Sequence, residues 1–377
     1  MKSLRGRLLV GGKLVTGTVA WEGEKIARVD LEGEIGGADL PVVAPGLVDL
    51  HVHGFGGFDP VTDLARMAGA LARAGTTAFQ PTLFPAAPER LGALCEELGT
   101  RAAGLRAGAG ARVVGLHLEG PFVNPEAAGA LPIADLAPPS PAGLRAILGP
   151  ASGGGRGIRT MTLAPELPGA RDLVAELVRS GVRVSLGHSR ASAQEARDAA
   201  RSGASGATHL FNAMPPWHHR EAGLAGFALT DAALYAEIIG DLVHVGAEAF
   251  ELALRARGTA GLCLVSDALA GAGTGCDRFH AHGREHVVRD GAAYYPSPKP
   301  ALAGSALSQL EMVRKLTSNG VLGLAEALTI ASSTPARALG LDREIGELRA
   351  GLAADLIVLR GAELALAEVW VSGTRLG

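Results

Sequence analysis

The 377-residue chain is short of four things whose presence would have decided its class at once. Cysteine is scarce. Cys95, Cys263 and Cys276 are scattered and lack zinc-knuckle spacing, so no disulfide framework is expected and the thiols read as reduced and structural. Neither sign of charge is in large surplus; a formal net charge of −3 leaves no basic footprint for nucleic acid but permits a local anion site. No long apolar run opens the chain. Met1-Lys2-Ser3-Leu4-Arg5-Gly6-Arg7 leads into a short apolar patch broken by Gly11-Gly12-Lys13, which is neither a signal segment nor a membrane span. The expectation is a cytoplasmic protein with no membrane partner. Finally, no G-x-G-x-x-G or Walker A pattern opens a helix, which argues against a nucleotide-binding fold.

What remains is an ordinary globular composition, with 47% hydrophobic and 19% charged residues, in a chain long enough to bury a large core. Both ends are rich in short β-type runs between glycine turns. Leu8-Leu9-Val10, Leu14-Val15 and Lys25–Val29 lie near the start; the Gly346–Gly351, Ala354–Leu359 and Glu368–Gly373 stretches lie near the end. Matching ends around a different middle predict that the termini pair in space. Residues 1–45 and 343–377 are therefore expected to form one small β-sandwich domain.

Residues 46–342 alternate apolar runs with Ala/Leu/Arg-rich helical segments, the pattern of βα repeats on a parallel sheet. Eight strands are expected, over Leu47–His53, Thr76–Thr82, Arg112–Glu119, Ile158–Leu163, Val182–Gly187, Gly206–His209, Leu234–Ile239 and Leu262–Asp267. Helical patterns cover Asp63–Ala74, Pro88–Gly104, Ala170–Ser180, Ser192–Ser202 and Ala247–Arg257. Eight such units favour an α/β fold of the (β/α)8 TIM-barrel type over an open sheet.

In such a barrel, functional side chains stand at the carboxyl ends of strands. Strand one ends Asp49-Leu50-His51-Val52-His53, and the two-residue period puts both imidazoles on one face. Other strands end at His117-Leu118-Glu119, Gly187-His188-Ser189, Thr208-His209 and Ser266-Asp267. Each residue alone has an ordinary explanation, as a hydrogen-bonded rim histidine or a helix-capping carboxylate. Ligand-capable groups on five strand ends together point to a divalent metal, zinc first and iron as the alternative, with one ion or two. His117, one step lower than Glu119, is expected to orient a ligand rather than be one. His218, His219, His280, His282 and His286 fall in loop-like stretches where a surface position is the default. His244 follows strand seven, where it either faces a substrate or is an ordinary loop histidine.

These motifs resemble the N-acetylglucosamine-6-phosphate deacetylase family of the amidohydrolase superfamily. The segments are Pro45–Gly54, His117-Leu118-Glu119-Gly120-Pro121-Phe122, Gly187-His188-Ser189, Thr208–Met214, Leu264–Ala268 and Ala303-Gly304-Ser305. The resemblance implies removal of the acetyl group from N-acetylglucosamine 6-phosphate, with Glu119, His188 and His209 as shared metal ligands and His51 and His53 adding a second site. It makes Asp267 the general base and acid, and His244 the group that polarises the amide carbonyl. Asn212, Ala213 and Arg220 would hold the phosphate, and Ala130, Leu302, Ala303 and Gly304 would line the substrate site. It also implies a homodimer, with Arg220 placed to reach across the interface. One segment departs from the pattern. Where the family has a basic residue, glycine, a small residue and histidine, this chain has Ala128-Gly129-Ala130-Leu131, which keeps N-acetylgalactosamine 6-phosphate open as substrate. The competing readings are another amidohydrolase, acting on a cyclic amide or an N-acetylated D-amino acid, and a catalytically silent scaffold.

Overall fold

The apolar runs of the middle segment become eight parallel strands arranged in chain order around a barrel. They are Leu47–Val52, Thr76–Leu83, Arg112–Val113 continuing as Leu116–Glu119, Ile158–Leu163, Arg183–Leu186, Gly206–Ala207, Tyr235–Ile239 and Leu262–Val265. The computed structural model describes residues 1–33, 39–149, 157–296 and 301–376. The third strand, expected to be continuous, is broken at Gly115, whose φ of 109° interrupts the extended backbone. A helix follows every strand: Pro60–Arg73, Pro88–Ala103, Pro141–Leu148, Ala170–Arg179, Ala193–Arg201, Gly223–Thr230, Ala247–Gly261 and Gln309–Ser318. Those at Pro141, Gly223 and Gln309 are additional to the helices read from the sequence. Ser192, expected inside its helix, is the residue that caps it, its hydroxyl accepting from the Glu195 amide at 3.2 Å.

Strands one and eight meet at a seam that main-chain pairing alone does not close. The Asp267 amide donates to the His51 carbonyl at 2.9 Å, and the His53 amide to the Ala268 carbonyl at 2.9 Å. Below them, fully buried side chains stitch the gap. The Gln309 amide donates to the Val48 carbonyl at 3.0 Å and to the Leu264 carbonyl at 2.8 Å, one on each side of the seam. Asp49 accepts from the Ser266 amide at 3.2 Å and the His51 amide at 3.3 Å. His51, His53 and Asp267 thus come from two strands locked in register.

The two chain ends make one seven-stranded sheet, with Val42–Pro45 pairing antiparallel to Leu356–Arg360. Trp21 in strand Lys13–Glu22 and Trp370 in strand Ala365–Val371 lie four strand steps apart in that sheet, about 19 Å if it were flat. Their rings are 4.8 Å apart, so the sheet folds over on itself. Its halves enclose Leu8, Val19, Ile26, Val43 and Leu356 as a second, smaller core, which is the sandwich expected from the sequence.

Between the eighth strand and its helix lies a four-stranded antiparallel sheet that sequence reading missed: Arg278–Ala281, Arg284–Arg289, Ala292–Tyr295 and Ala301–Ser305. The end of its last strand pairs in parallel beside the end of strand eight, the Ser305 amide donating to the Asp267 carbonyl at 2.8 Å. That brings Leu302, Ala303 and Gly304 to the barrel mouth. A side chain at position 304 would meet the Asp267 carbonyl oxygen at 2.8 Å, on a backbone with φ of 126°, so glycine is required there.

Gln309→Leu leaves two buried carbonyls unpaired at the seam. Urea unfolding should show a loss of about 1–3 kcal/mol for each, and an unchanged unfolding midpoint would mean that other groups close the barrel.

Candidate metal centre and active site

The ligand-capable residues stand at strand ends whose backbone turns sharply. His188, His209 and Asp267 have φ of 47°, 29° and 47°, a left-handed conformation uncommon for residues with a side chain and concentrated at functional sites. The kinks follow the last paired residue of strands five, six and eight, so all three side chains turn inward over the barrel axis. His51 and His53 reach the same point from strand one by the alternation of an extended chain, and Glu119 reaches it as the last residue of strand three.

The six groups form two clusters, Glu119–His188–His209 and His51–His53–Asp267. Glu119 Oε1 is 3.0 Å from both His188 Nε2 and His209 Nε2, and 3.3 Å from His51 Nε2. Its Oε2 is 3.2 Å from His53 Nε2. Asp267 Oδ1 lies 3.4 Å from His53 Nε2 and 3.5 Å from His51 Nε2. The carboxylate of Glu119 is therefore common to both clusters.

Hydrogen bonding on the far side of the rings tests what this arrangement can hold. His188 Nδ1 lies 2.9 Å from the Ala127 carbonyl, and His51 Nδ1 lies 3.3 Å from Glu237 Oε2. Each ring proton belongs on Nδ1, facing an acceptor, which leaves the Nε2 lone pairs pointing inward. There they meet one another, at 3.2 Å for His51 and His53 and 3.0 Å for His188 and His209, and an ionised carboxylate with no proton to give. Lone pairs gathered this closely need positive charge among them. Imidazole nitrogens and carboxylate oxygens are the donor set of zinc and other borderline first-row ions, so the residues present fit such a metal. The same lone pairs and carboxylates also attract protons. Burial works against a charged His51, but the Glu119 and Asp267 carboxylates hold its pKa well above the ordinary value. Glu119 is itself held far below the carboxylate range, chiefly by His51 and His188 overcoming its burial.

His117 does not join the clusters. Its ring packs edge-on against His51 with centroids 4.7 Å apart, and its Nε2 lies 2.8 Å from the Thr162 hydroxyl. Burial pushes it down to about 3, so it is neutral where it packs against His51.

Above the clusters, a cleft is lined by His53, Phe84, Glu119, Gly129, Ala130, Leu131, His188, His209, Asn212, Ala213, His244, Asp267, Leu302, Ala303 and Gly304. His244 is pinned by Asp241, with Nδ1 2.6 Å from Asp241 Oδ2. The Asp241 carboxylate is held in turn by the amides of Val243 and His244, each at 2.9 Å.

Comparison with known proteins fits this geometry. Residues 42–376 match the amidohydrolase family. The chain belongs to the amidohydrolase family. It is similar to the human N-acetylglucosamine-6-phosphate deacetylase, at 34% identity over 97% of this chain and 93% of that protein. It is equally similar, at 34%, to the N-acetylgalactosamine-6-phosphate deacetylase of Escherichia coli O157:H7, over 89% of this chain and 88% of that one. A solved structure of a mutant N-acetyl-D-glucosamine-6-phosphate deacetylase from Mycobacterium smegmatis, in complex with N-acetyl-D-glucosamine-6-phosphate, superposes with a TM-score of 0.86. That protein is 30% identical, and the match covers 99% of this chain and 98% of the other. The family is metal-dependent, and this amidohydrolase carries candidate metal-binding residues.

Among the site residues expected from the sequence, two do not line the cleft of this amidohydrolase: His51, fully buried in the cluster beneath it, and Arg220. Arg220 is exposed and does not line it; its guanidinium lies 3.1 Å from His219 Nε2. Leu131 faces the cleft and also packs with Val123, Ala128, Phe84 and Leu136. Of the histidines given a surface position by default, His286 is instead buried between Phe279 and Tyr295, with centroids 4.9 Å from each. His282 is exposed, but its ring lies 4.0 Å from that of Phe84, which stacks on His53 at 4.0 Å. Sequence reasoning missed Phe84, Glu237, Asp241 and the seam residue Gln309. Only the Asp-x-x-His spacing of Asp241 and His244 offered a local signal.

The Asp241–His244 pair sets a pH window. Burial opposes the charged form of both, yet the pairing raises His244 and lowers Asp241. The raised imidazole gives stability that is complete below its ordinary value of about 6.5 and lost as pH rises through the folded value. The lowered carboxyl gives stability present above about 3.9 and lost as pH falls through its folded value. Asp241→Asn in the presence of chelator should therefore destabilise most between about pH 4 and 6.5, by about 1.5–3 kcal/mol. Urea titrations across pH check this; a uniform loss at all pH values would show that the pair is not ionised.

Proposed function

We propose that this amidohydrolase hydrolyses the acetamide of N-acetylglucosamine 6-phosphate, releasing acetate and glucosamine 6-phosphate in amino-sugar breakdown. The observation that carries the reading is the double cluster of imidazoles and carboxylates sharing Glu119 at the floor of the cleft. Glu119, His188 and His209 would hold one divalent ion and His51, His53 and Asp267 a second, with zinc favoured by the nitrogen-rich donor set and iron the alternative. The chemistry such ions supply is polarisation of the acyl oxygen and acidification of water towards a pKa of about 7.

The protein's own groups perform the rest. Asp267 takes the proton from water as its oxygen attacks the acyl carbon, then gives that proton to the sugar nitrogen as the C–N bond breaks. One water is consumed; its first proton reaches the nitrogen through Asp267, its second passes from the nascent acetic acid to the amine, and acetate and an ammonium group leave. Burial would raise the Asp267 carboxyl, but positive charge at His51 and His53 holds it below the usual range, and a divalent ion held there would supply that same positive charge and keep it ionised. His244, fixed in orientation by Asp241, donates to the acyl oxygen as negative charge develops there. On the sugar side, Ala130, Leu302, Ala303 and Gly304 form walls, and the backbone of Asn212 and Ala213 with the Arg220 fork receives the phosphate.

The exposure of Arg220 away from its own cleft supports a homodimer in which it completes the cleft of a second copy. That Cys95, Cys263 and Cys276 form no disulfide supports a reducing, cytoplasmic setting. No helix among the described residues is long and apolar enough to cross a membrane. A second reading, N-acetylgalactosamine 6-phosphate as substrate, is favoured by Leu131, which puts an aliphatic wall where the resemblance called for a histidine, and by the similarity to the Escherichia coli enzyme.

Deacetylation of N-acetylglucosamine and N-acetylgalactosamine, each with and without the 6-phosphate, tests the reading. A phosphorylated N-acetylhexosamine should give the highest kcat/KM, chelation should abolish turnover, and added zinc should restore it. Arg220→Ala should raise KM for the phosphorylated sugar about tenfold or more, from the loss of a charge-assisted hydrogen bond, while sparing the unphosphorylated one. Full activity after verified metal removal, or no preference for phosphate, would overturn it.

A further inference from the structure

Glu237 takes no part in that chemistry, yet it is a fully buried carboxylate in the middle of the apolar strand Tyr235–Ile239. Its Oε2 stands 3.3 Å from His51 Nδ1. Its Oε1 faces Arg183 Nη1 at 3.8 Å, and neither of those two atoms has a hydrogen-bond partner. Arg183 is anchored by donating to the Ser205 carbonyl at 3.4 Å. A buried anion is stable only where its charge is answered, and here the answering groups are a guanidinium on one side and an imidazole N–H on the other.

The two clusters differ in what stands behind them. In the Glu119–His188–His209 cluster, His188 is oriented by a neutral backbone carbonyl, and His209 Nδ1 has no hydrogen-bond partner. In the other, His53 Nδ1 is likewise without one, and only His51 has a carboxylate at its back. A carboxylate at Nδ1 keeps the proton there, keeps the Nε2 lone pair aimed at the shared centre, and makes that nitrogen a stronger electron donor.

We propose that Glu237, with Arg183 behind it, is a positioning residue that fixes the tautomer of His51 and thereby sets the cation affinity of the His51–His53–Asp267 cluster. The inference rests on the metal-dependent reading of the site above. It predicts unequal control: a change at Glu237 weakens one ion and leaves the other alone.

Calorimetric titration of the chelator-stripped, full-length protein with zinc, with ions per chain counted by elemental analysis, tests it without reference to turnover. The unaltered protein should take up two ions. Glu237→Gln keeps the shape but removes the charge, and should weaken one of the two sites about 10- to 100-fold. Because that variant strands the Arg183 charge, Arg183→Met combined with Glu237→Gln provides the control. The double variant should regain thermal stability while its weak site stays weak. Two ions bound at unaltered affinity in Glu237→Gln, or full recovery of the second site in the double variant, would overturn the proposal by showing that Glu237 serves folding only. A single ion in the unaltered protein, indifferent to Glu237, overturns it as well. Failure of the unaltered protein to bind any zinc overturns both this inference and the reading beneath it.

Discussion

Four imidazole nitrogens within 3.3 Å of the Glu119 carboxylate, two of them also facing Asp267, cannot rest there without positive charge among them, and much of the barrel is arranged around that requirement. The Ala127 carbonyl and the Glu237 carboxylate commit the ring protons of His188 and His51 to the outside. The seam held by Gln309 and Asp49 keeps strands one and eight in the register that sets His51 and His53 beside Asp267. Left-handed backbone at His188, His209 and Asp267 is tolerated where it turns a side chain over the barrel mouth. Those left-handed turns cost stability locally, and their return lies at the same point in space.

The position of these groups was legible in the sequence because the barrel converts a one-dimensional pattern into a common rim. A histidine or carboxylate after an apolar run stands at a strand end, and the strand ends converge. His51, His53, Glu119, His188, His209 and Asp267 were found that way. The less legible residues act sideways or from below. Glu237 interrupts an apolar strand with nothing nearby to mark a partner 186 positions away. Gln309 follows the capping residue of its helix and reads as an ordinary first-turn side chain. Phe84 stacks on His53 only because strands one and two are neighbours.

The inserted sheet from Arg278 to Ser305 escaped notice for a different reason. Its strands are four to six residues long, and they lie in a stretch read from its histidines as surface loop. Pairing between strands, rather than any strong preference within one of them, makes the sheet. It places His282 against Phe84 and carries Leu302, Ala303 and Gly304 to the cleft. The substrate wall is therefore set partly by a segment whose own sequence gives little sign of it, whereas the floor is set by residues the sequence displays openly.

The proposed function requires that the two clusters meeting at Glu119 hold cations rather than a protonated hydrogen-bond network. Anomalous X-ray diffraction from crystals of the zinc-loaded protein, collected on both sides of the zinc absorption edge, tests it directly. Anomalous density is expected on both sides of Glu119, one peak among His188 and His209 and one among His51, His53 and Asp267. Fully ordered side chains with no anomalous density at either cluster would contradict it.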